Sequence, residues 1–311
     1  MSLAERSTMF DPVTKQALDP AIAQMQQRWQ ESGIPDLYEG GNGPVSRERG
    51  RNVRAVFYPK PKLAHAPIEA ITIPGPAGEM QARIVRPLSG DPVGTLVYFH
   101  GGGFILGDLD SHEAHAIRLA NQAGVVVLNV AYRLAPEDPF PAAIDDADAA
   151  MDWANAHRSQ LGGAGRPLAV GGDSAGGNLA AATALHCREQ GIALAAQLLL
   201  YPVTDLTRLN GIPEQAYLGD KSAGRGLDPR ASPALAPSLA GLAPALIGVG
   251  SYDFLYQDNM RYAQALHAAG VTVRLRQYPD LNHGFFSYTA ISEASLSAAN
   301  QLCADLREMI S

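Results

Sequence analysis

The chain has 311 residues, of which 46% are hydrophobic and 18% are charged. This length and composition predict one soluble globular domain with a small appendage, and they exclude a disordered or fibrous protein. Because the formal net charge is -7, the mean field of the protein would repel a polyanion, and we expect no nucleic-acid partner.

Apolar residues recur at helical spacing between Pro12 and Ser32, and a polar, glycine-rich stretch follows through Gly50. This pattern predicts a helical N-terminal appendage. Residues 1–10 lack the apolar run of a secretory leader, and no stretch approaches the roughly 18 apolar residues of a membrane span. We therefore expect no stable membrane insertion.

Eight short apolar runs follow, separated by turn signals and helical stretches. The first two flank a Pro-Gly-Pro-Ala-Gly turn and predict a hairpin, whereas the later ones are nearly all apolar, as strands covered on both faces are. Alternation of strands with helices predicts an α/β fold with a mostly parallel, doubly covered, eight-stranded sheet. The predicted strands are 68–73, 80–85, 95–99, 125–130, 168–170, 197–200, 245–249 and 271–278.

The loop after the third predicted strand is His100-Gly101-Gly102-Gly103. In this context such a loop predicts an oxyanion hole, in which backbone N–H groups stabilise the charge of a tetrahedral intermediate. The predicted donors are Gly102, Gly103 and Ala175, with His100 holding the loop. A phosphate cradle is the alternative, but the loop lacks the Lys-Ser or Lys-Thr of a P-loop and the glycine spacing of a dinucleotide site.

Gly172-Asp173-Ser174-Ala175-Gly176 is a G-x-S-x-G sequence between the strand 168–170 and a helix predicted over 176–189. This context predicts a nucleophilic serine on a strained turn, with glycines where neighbouring backbone leaves no room for a Cβ. The alternative is a glycine-rich turn in which Ser174 caps the helix. The flanking elements and the glycine loop favour the nucleophile.

Three histidines follow the nucleophile, as the chain order serine, acid, histidine requires. His186 and His267 fall inside predicted helices, whereas His283 lies in the loop after the strand 271–278. Since a base must reach the hydroxyl proton from a strand-end loop, His283 is the predicted base.

The predicted acid is Asp253, which closes the strand 245–249 and would orient the imidazole of the base. Asp258 is the rival, five residues further on. We interpret it as the N-cap of a helix predicted over 259–269.

Two other clusters are candidates for a metal site. Asp145, Asp146 and Asp148 lie on a predicted helix and are interpreted as a solvated face. His112 and His115 are three residues apart and lack the i, i+4 spacing of the helical zinc motif. The residues therefore predict no metal site.

The two cysteines, Cys187 and Cys303, are too few for a disulfide framework, and each lies in a predicted helix. This cysteine usage indicates a reducing compartment, and we expect the protein in the cytoplasm.

Five motifs together resemble those of the bacterial hormone-sensitive-lipase-like esterases, over roughly residues 65–305. They are His100-Gly101-Gly102-Gly103-Phe104, Tyr132-Arg133-Leu134-Ala135-Pro136-Glu137, Phe140-Pro141-Ala142-Ala143, Gly172-Asp173-Ser174-Ala175-Gly176-Gly177-Asn178 and Asn282-His283-Gly284-Phe285.

The resemblance implies an α/β-hydrolase core without a cofactor that hydrolyses short- to medium-chain acyl esters. By position it supports Ser174, Asp253 and His283 as the triad. It also implies a helical cap segment over 1–60, a catalytic domain over 61–311 and a second cap insertion at about 204–228. The second and third motifs resemble structural support under the site.

Two departures from the family pattern stand out. Phe254 follows the acid where the family usually has proline, and the segment 204–228 is shorter than the family's second cap insertion. The acyl pocket is then either more open or covered by the partner chain of a homodimer. Two other functions stay open: an amidase or formamidase with the same triad, and a receptor that binds ligand without turnover.

Overall fold

The computed structural model describes residues 10–40, 43–219 and 224–311. Within these ranges one eight-stranded sheet forms the centre of the fold. Its strands are β1 (Ile68–Gly75), β2 (Gly78–Val85), β3 (Gly94–Phe99), β4 (Val125–Val130), β5 (Leu168–Asp173), β6 (Ala196–Leu200), β7 (Ala245–Tyr252) and β8 (Val273–Asn282). Their order is β1-β2-β4-β3-β5-β6-β7-β8, antiparallel from β1 to β4 and parallel from there on. The predicted α/β-hydrolase sheet is confirmed.

Helices cover both faces of this sheet. They are α1 (Pro20–Glu31), α2 (Gly43–Phe57), α3 (Glu113–Arg118), α4 (Ala142–Ala156), α5 (Ala175–Gln190), α6 (Ile212–Leu218), α7 (Tyr256–Ala268) and α8 (Glu293–Ile310). None of the helices in the described ranges is both long enough and apolar enough to cross a lipid bilayer.

Successive side chains of β3 point to opposite faces of the sheet and so lie in two separate hydrophobic cores. Val97 and Phe99 belong to the core that contains α4 and α5. Leu96 and Tyr98 belong to the core that contains α3 and α8. All four side chains are fully buried, which accounts for the almost continuous apolar sequence of the central strands.

The N-terminal segment differs from the prediction in two ways. The first helix begins at Pro20 rather than near Pro12, because Asp19 caps it by accepting the N–H groups of Ala21 and Ile22. The polar stretch through Gly50 is not irregular throughout, because α2 begins at Gly43 and includes its last part. That helix buries only Val53, Phe57 and two small residues, so its apolar stripe is too narrow to stand out in the sequence.

Both cysteines are free and buried, Cys187 in α5 and Cys303 in α8. Burial disfavours the thiolate and raises the pKa of each thiol to about 12. The two thiols therefore pack as small apolar groups.

The carboxyl ends of the parallel strands meet at one edge of the sheet. The glycine loop follows β3, Ser174 follows β5, and Asp253 follows β7. The ends of β7 and β8 lie so close together that a Cβ on Gly250 would overlap the carbonyl of Leu281. This contact brings the loop of Asp253 beside the loop of His283.

Candidate active site

Ser174 lies on a strained turn between β5 and α5. Its backbone has φ 54° and ψ −115°, a region that L-residues rarely adopt. A Cβ on Gly172 would overlap the carbonyl of Gly176, and one on Gly176 would overlap the carbonyl of Phe99. The Ser174 side chain makes no capping hydrogen bond. The N-cap alternative is therefore wrong, and the hydroxyl is available to the site.

His283 links the serine to a buried carboxylate. Its Nε2 is 2.8 Å from the Oγ of Ser174, and its Nδ1 is 2.8 Å from the Oδ2 of Asp253. The Asp253 side chain is fully buried, and its second oxygen accepts the N–H of Leu255 at 2.7 Å. The structure thus brings together the three side chains predicted from the sequence, in an arrangement that can take a proton from the hydroxyl.

Phe254 and Tyr201 pack against the imidazole of His283. The Phe254 ring lies 4.7 Å from the imidazole centroid although the residue is 69% exposed, and the buried Tyr201 ring meets it edge-on at 4.9 Å. Sequence reasoning missed both contacts. Tyr201 directly follows β6, so the strand-end rule could have indicated it.

The other two histidines that follow Ser174 lie in helices, as predicted. His186, in α5, has its Nε2 2.9 Å from a carboxylate oxygen of Asp152. His267, in α7, packs against the ring of Phe10 at 5.1 Å. The structure joins neither of them to Ser174 by a hydrogen bond.

Asp258 is not the N-cap that the sequence predicted. The helix α7 begins at Tyr256, three residues earlier than expected, so Asp258 lies in its first turn. Its carboxylate accepts the N–H of Thr204 at 2.8 Å and the hydroxyl of Thr204 at 2.7 Å. Asp258 therefore ties α7 to the chain that follows β6.

The glycine loop presents free backbone donors beside Ser174. Gly102 and Gly103 have φ values of 126° and 60°, and the carbonyl of Gly102 closes the turn by accepting the N–H of Leu106 at 2.8 Å. Within the described residues, no hydrogen bond is formed by the N–H groups of Gly102, Gly103 or Ala175. These three donors are available to a developing oxyanion.

His100 lies under this loop. Its Nδ1 donates to the carbonyl of Gly101 at 2.9 Å, and its own carbonyl accepts the hydroxyl of Tyr132 at 2.6 Å. The imidazole stacks on the Tyr132 ring at 4.4 Å, and burial lowers the pKa of His100. These are the contacts of a neutral residue that supports the loop.

Asp173 sits at the centre of a buried network that sequence reasoning missed. Its Oδ1 accepts the Tyr98 hydroxyl at 2.7 Å and the N–H of Gly101 at 3.0 Å. His112 and His115 lie 3.5 Å and 3.8 Å from its two oxygens. The parallel pairing of Phe99 with Gly172 places these groups side by side, and the sequence does not reveal strand order.

His112, His115 and Asp173 form the set of potential metal ligands in the described part of the chain, with ligand atoms within 4.8 Å of one another. Burial lowers the pKa of His112 to about 3, so its ring is neutral at pH 7. Burial would raise the pKa of Asp173, but His112 and His115 outweigh it and hold that pKa well below its usual value. A cation bound here would compete with Gly101 and Tyr98 for the carboxylate.

The three aspartates of α4 do not form a solvated face. Asp146 is fully buried and accepts two side-chain N–H groups of Arg133, at 2.9 and 2.7 Å, and the Arg133 backbone N–H at 2.8 Å. Asp148 is mostly buried, accepts the Thr183 hydroxyl, and has its pKa raised to about 6 by burial. The prediction holds only for the partly exposed Asp145. Arg133 belongs to the second motif, and this pair gives that motif its supporting role.

A cavity of about 210 Å³ opens at Ser174 and His283. Arg47, Val53 and Arg54 of α2 also line this cavity. The helix α2, which the sequence pattern did not locate, therefore forms part of the wall around the reacting groups.

Comparison with known sequences shows what this arrangement resembles. A family described as having the α/β-hydrolase fold matches residues 96–287. A carboxylic ester hydrolase of Mycobacterium tuberculosis, LipN, is 40% identical over 99% of this chain and 86% of its own length. An ethyl acetate hydrolase of Pseudomonas putida is 37% identical over 69% of this chain and 74% of its own.

Solved structures agree with the sequence comparison. A hyperthermophilic esterase from the archaeon Pyrobaculum calidifontis superposes with a TM-score of 0.84 at 35% identity, covering 94% of this chain and 99% of that one. A thermostable esterase from Pseudomonas putida gives a TM-score of 0.87 at 29% identity, with 96% and 99% coverage.

Proposed function

Because this chain belongs to the hormone-sensitive-lipase-like esterases of the α/β-hydrolase fold, we propose that Ser174, His283 and Asp253 are its catalytic triad. The chain is a serine carboxylesterase. The observation that carries the assignment of residues is the position of the His283 imidazole, 2.8 Å from both the hydroxyl and the carboxylate.

In the first half of the reaction, the Oγ of Ser174 attacks the ester carbonyl carbon while Nε2 of His283 takes the hydroxyl proton. The carbonyl oxygen becomes an oxyanion and accepts the N–H groups of Gly102, Gly103 and Ala175. The C–O bond to the alcohol then breaks, and His283 returns the proton to the leaving oxygen.

In the second half, water gives a proton to His283 and attacks the acyl-enzyme. Collapse of this second intermediate releases the carboxylic acid and restores the Ser174 hydroxyl. Asp253 keeps the imidazole in one tautomer and stabilises its cationic form through both steps.

The substrate we propose is an ester with a short- to medium-chain acyl group. A site of about 210 Å³ supports this class, because it lies below the usual range for drug-sized ligands. We assign residues 1–60 and about 204–228 to a cap over the catalytic domain 61–311. Residues 1–9, 41–42 and 220–223 of these ranges lie outside the part of the chain that the structure describes. The contribution of α2 to the cavity wall supports the first of these assignments.

Fluorophosphonate labelling tests the nucleophile. The protein should take up one label, located by peptide mapping at Ser174, and Ser174→Ala should take up none. Normal labelling of the alanine variant would overturn the assignment. A receptor that binds without turnover should remain unlabelled in both forms.

Matched substrates test the leaving group and the acyl length. We expect 4-nitrophenyl acetate and hexanoate to be hydrolysed with a higher kcat/KM than 4-nitrophenyl dodecanoate. We also expect both esters to be hydrolysed faster than the corresponding 4-nitroanilides. Faster turnover of the anilides would instead indicate an amidase.

We also propose that the segment 204–228 is covered by a second copy of the chain in a homodimer. Leu227 is 67% exposed and Ile212 is 40% exposed, so this segment presents apolar surface to solvent. Light scattering after size exclusion should give a molar mass of about twice the chain's 32.9 kDa. The Leu227→Asp variant should have a mass closer to that of the monomer.

The location we propose is the cytoplasm, since both cysteines are free thiols. Fractionation of the source cells should recover the esterase activity with cytoplasmic markers rather than in the medium.

A further inference from the structure

A second cavity, of about 560 Å³, lies beside the active-site cavity. The two share part of their lining, including Arg51, Arg54, Tyr58, Asp108 and Ser111. Both arginines therefore line the active-site cavity itself, within reach of an ester held at Ser174.

Arg51 and Arg54 are three residues apart on α2, so their side chains lie on neighbouring positions of one helix face. Neither forms an ion pair with an acidic side chain in the described ranges, whereas the nearby Arg47 pairs with Glu137. The guanidinium of Arg54 instead lies over the Tyr58 ring at 5.5 Å. Lys60, also on the wall of the second cavity, likewise pairs with no carboxylate among the described residues.

The carboxylates on the same wall are already engaged. Asp110 and Glu113 both bind Arg83, which does not line the cavity. Asp108 accepts the backbone N–H of Ser111 at 2.7 Å. Among the described residues, these acids therefore have other partners and form no ion pair with Arg51 or Arg54.

We propose that Arg51 and Arg54 form a subsite for an anionic group, a carboxylate or a phosphate, carried by the ester substrate away from its scissile bond. The inference rests on the proposed function, because the bound ester must present its carbonyl to Ser174. A guanidinium binds either anion through paired N–H groups.

Two sets of matched esters test the subsite. For an anion on the acyl side, 4-nitrophenyl heptanoate is compared with mono-4-nitrophenyl adipate. For an anion on the alcohol side, 4-methylphenyl acetate is compared with 4-acetoxybenzoate and with 4-acetoxyphenyl phosphate, which also separates a carboxylate from a phosphate.

Each ester is assayed with the wild type, with the double variant Arg51→Gln/Arg54→Gln, and with Arg49→Gln. Arg49 is the matched control, since it bonds the carbonyls of Asp36 and Glu39 and lines neither cavity.

In at least one set, the wild type should prefer the anionic ester to its neutral partner in kcat/KM. The double variant should reduce that preference by about tenfold to a hundredfold, mainly through KM, and the control variant should retain it. Added salt at 0.5 M should weaken the preference in the wild type.

The inference is overturned if the wild type shows no preference for the anionic ester in either set. It is also overturned if the double variant lowers kcat/KM equally for the neutral and the anionic esters. In both cases continued hydrolysis of the neutral esters would leave the proposed function standing. Loss of the proposed function looks different, because no ester of either set would then be turned over and Ser174 would not be labelled.

Discussion

Gly101 donates its backbone N–H to the carboxylate of Asp173 across 3.0 Å, and this bond joins the glycine loop to the residue before Ser174. The two parts of the proposed oxyanion hole, Gly102 and Gly103 on one side and Ala175 on the other, therefore keep a fixed relative position. Donors that are already in place cost no reorganisation when charge develops.

Asp253→Asn should lower kcat by on the order of 10⁴, because an amide cannot stabilise the imidazolium and favours the wrong tautomer of His283. Ester hydrolysis by purified variants measures the loss. Asp258→Asn is the control and should stay within a few fold of the wild type. The reverse ranking would transfer the role of the acid to Asp258.

Gly176→Ala should prevent correct folding of the nucleophile turn, since the added Cβ would overlap the backbone carbonyl of Phe99. The readouts are soluble yield, circular dichroism and the thermal midpoint. Gly165→Ala adds a methyl group at a position with no neighbour within 4 Å, and it should fold like the wild type. A stable and active Gly176→Ala protein would contradict the packing described for this turn.

Asp146→Ala should lower the free energy of unfolding by about 3 kcal/mol, because it leaves the guanidinium of Arg133 without its buried partner. Urea denaturation measures the change. Asp145→Ala removes the more exposed pair with Arg230, whose side chain is 48% exposed, and should cost less than about 1 kcal/mol. Equal losses in the two variants would show that burial does not distinguish the pairs.

Asp148 should make the stability depend on pH. Burial disfavours the charged carboxylate and raises the folded-state pKa of Asp148 from 3.8 to about 6. The protonated side chain therefore contributes to the free energy of unfolding in full below pH 3.8, and this contribution is lost as the pH rises through about 6. Asp148→Asn removes this penalty. Relative to the wild type, the variant should gain up to about 3 kcal/mol of stability between pH 3.5 and pH 8.

Urea denaturation at several pH values tests this dependence. Asp152→Asn is the control. Carboxylate oxygens of Asp148 and Asp152 lie 3.8 and 2.9 Å from the imidazole of His186, but the Asp152 side chain is 53% exposed. A gain of Asp148→Asn over the wild type that does not change with pH would contradict the raised pKa.

The sequence was sufficient to predict all eight strands. The central strands are covered on both faces and require an almost uninterrupted apolar run, and β1 and β2 flank a recognisable turn. It was sufficient to predict the three side chains that meet at Ser174, because each follows a strand at the same edge of the sheet. The order of the strands was not readable, since it depends on packing between distant segments.

The helix α2 escaped prediction for a related reason. Four arginines and two glycines in a short segment resemble a loop. The helix depends on tertiary contacts, which are the burial of Val53 and Phe57 and the polar contacts of Arg47 and Arg49. The buried state of Asp146 was equally hidden. A carboxylate is expected on the surface unless its partner is known, and here the partner, Arg133, lies 13 residues away in the chain.

The burial of Cys187 and Cys303 gives the protein a built-in reporter of opening. The thiolate is the form that attacks a thiol reagent, and neither sulfur is exposed or ionised in the folded state. Maleimide should therefore modify this chain only when α5 or α8 separates from the sheet, so the rate of modification would measure how often each helix detaches.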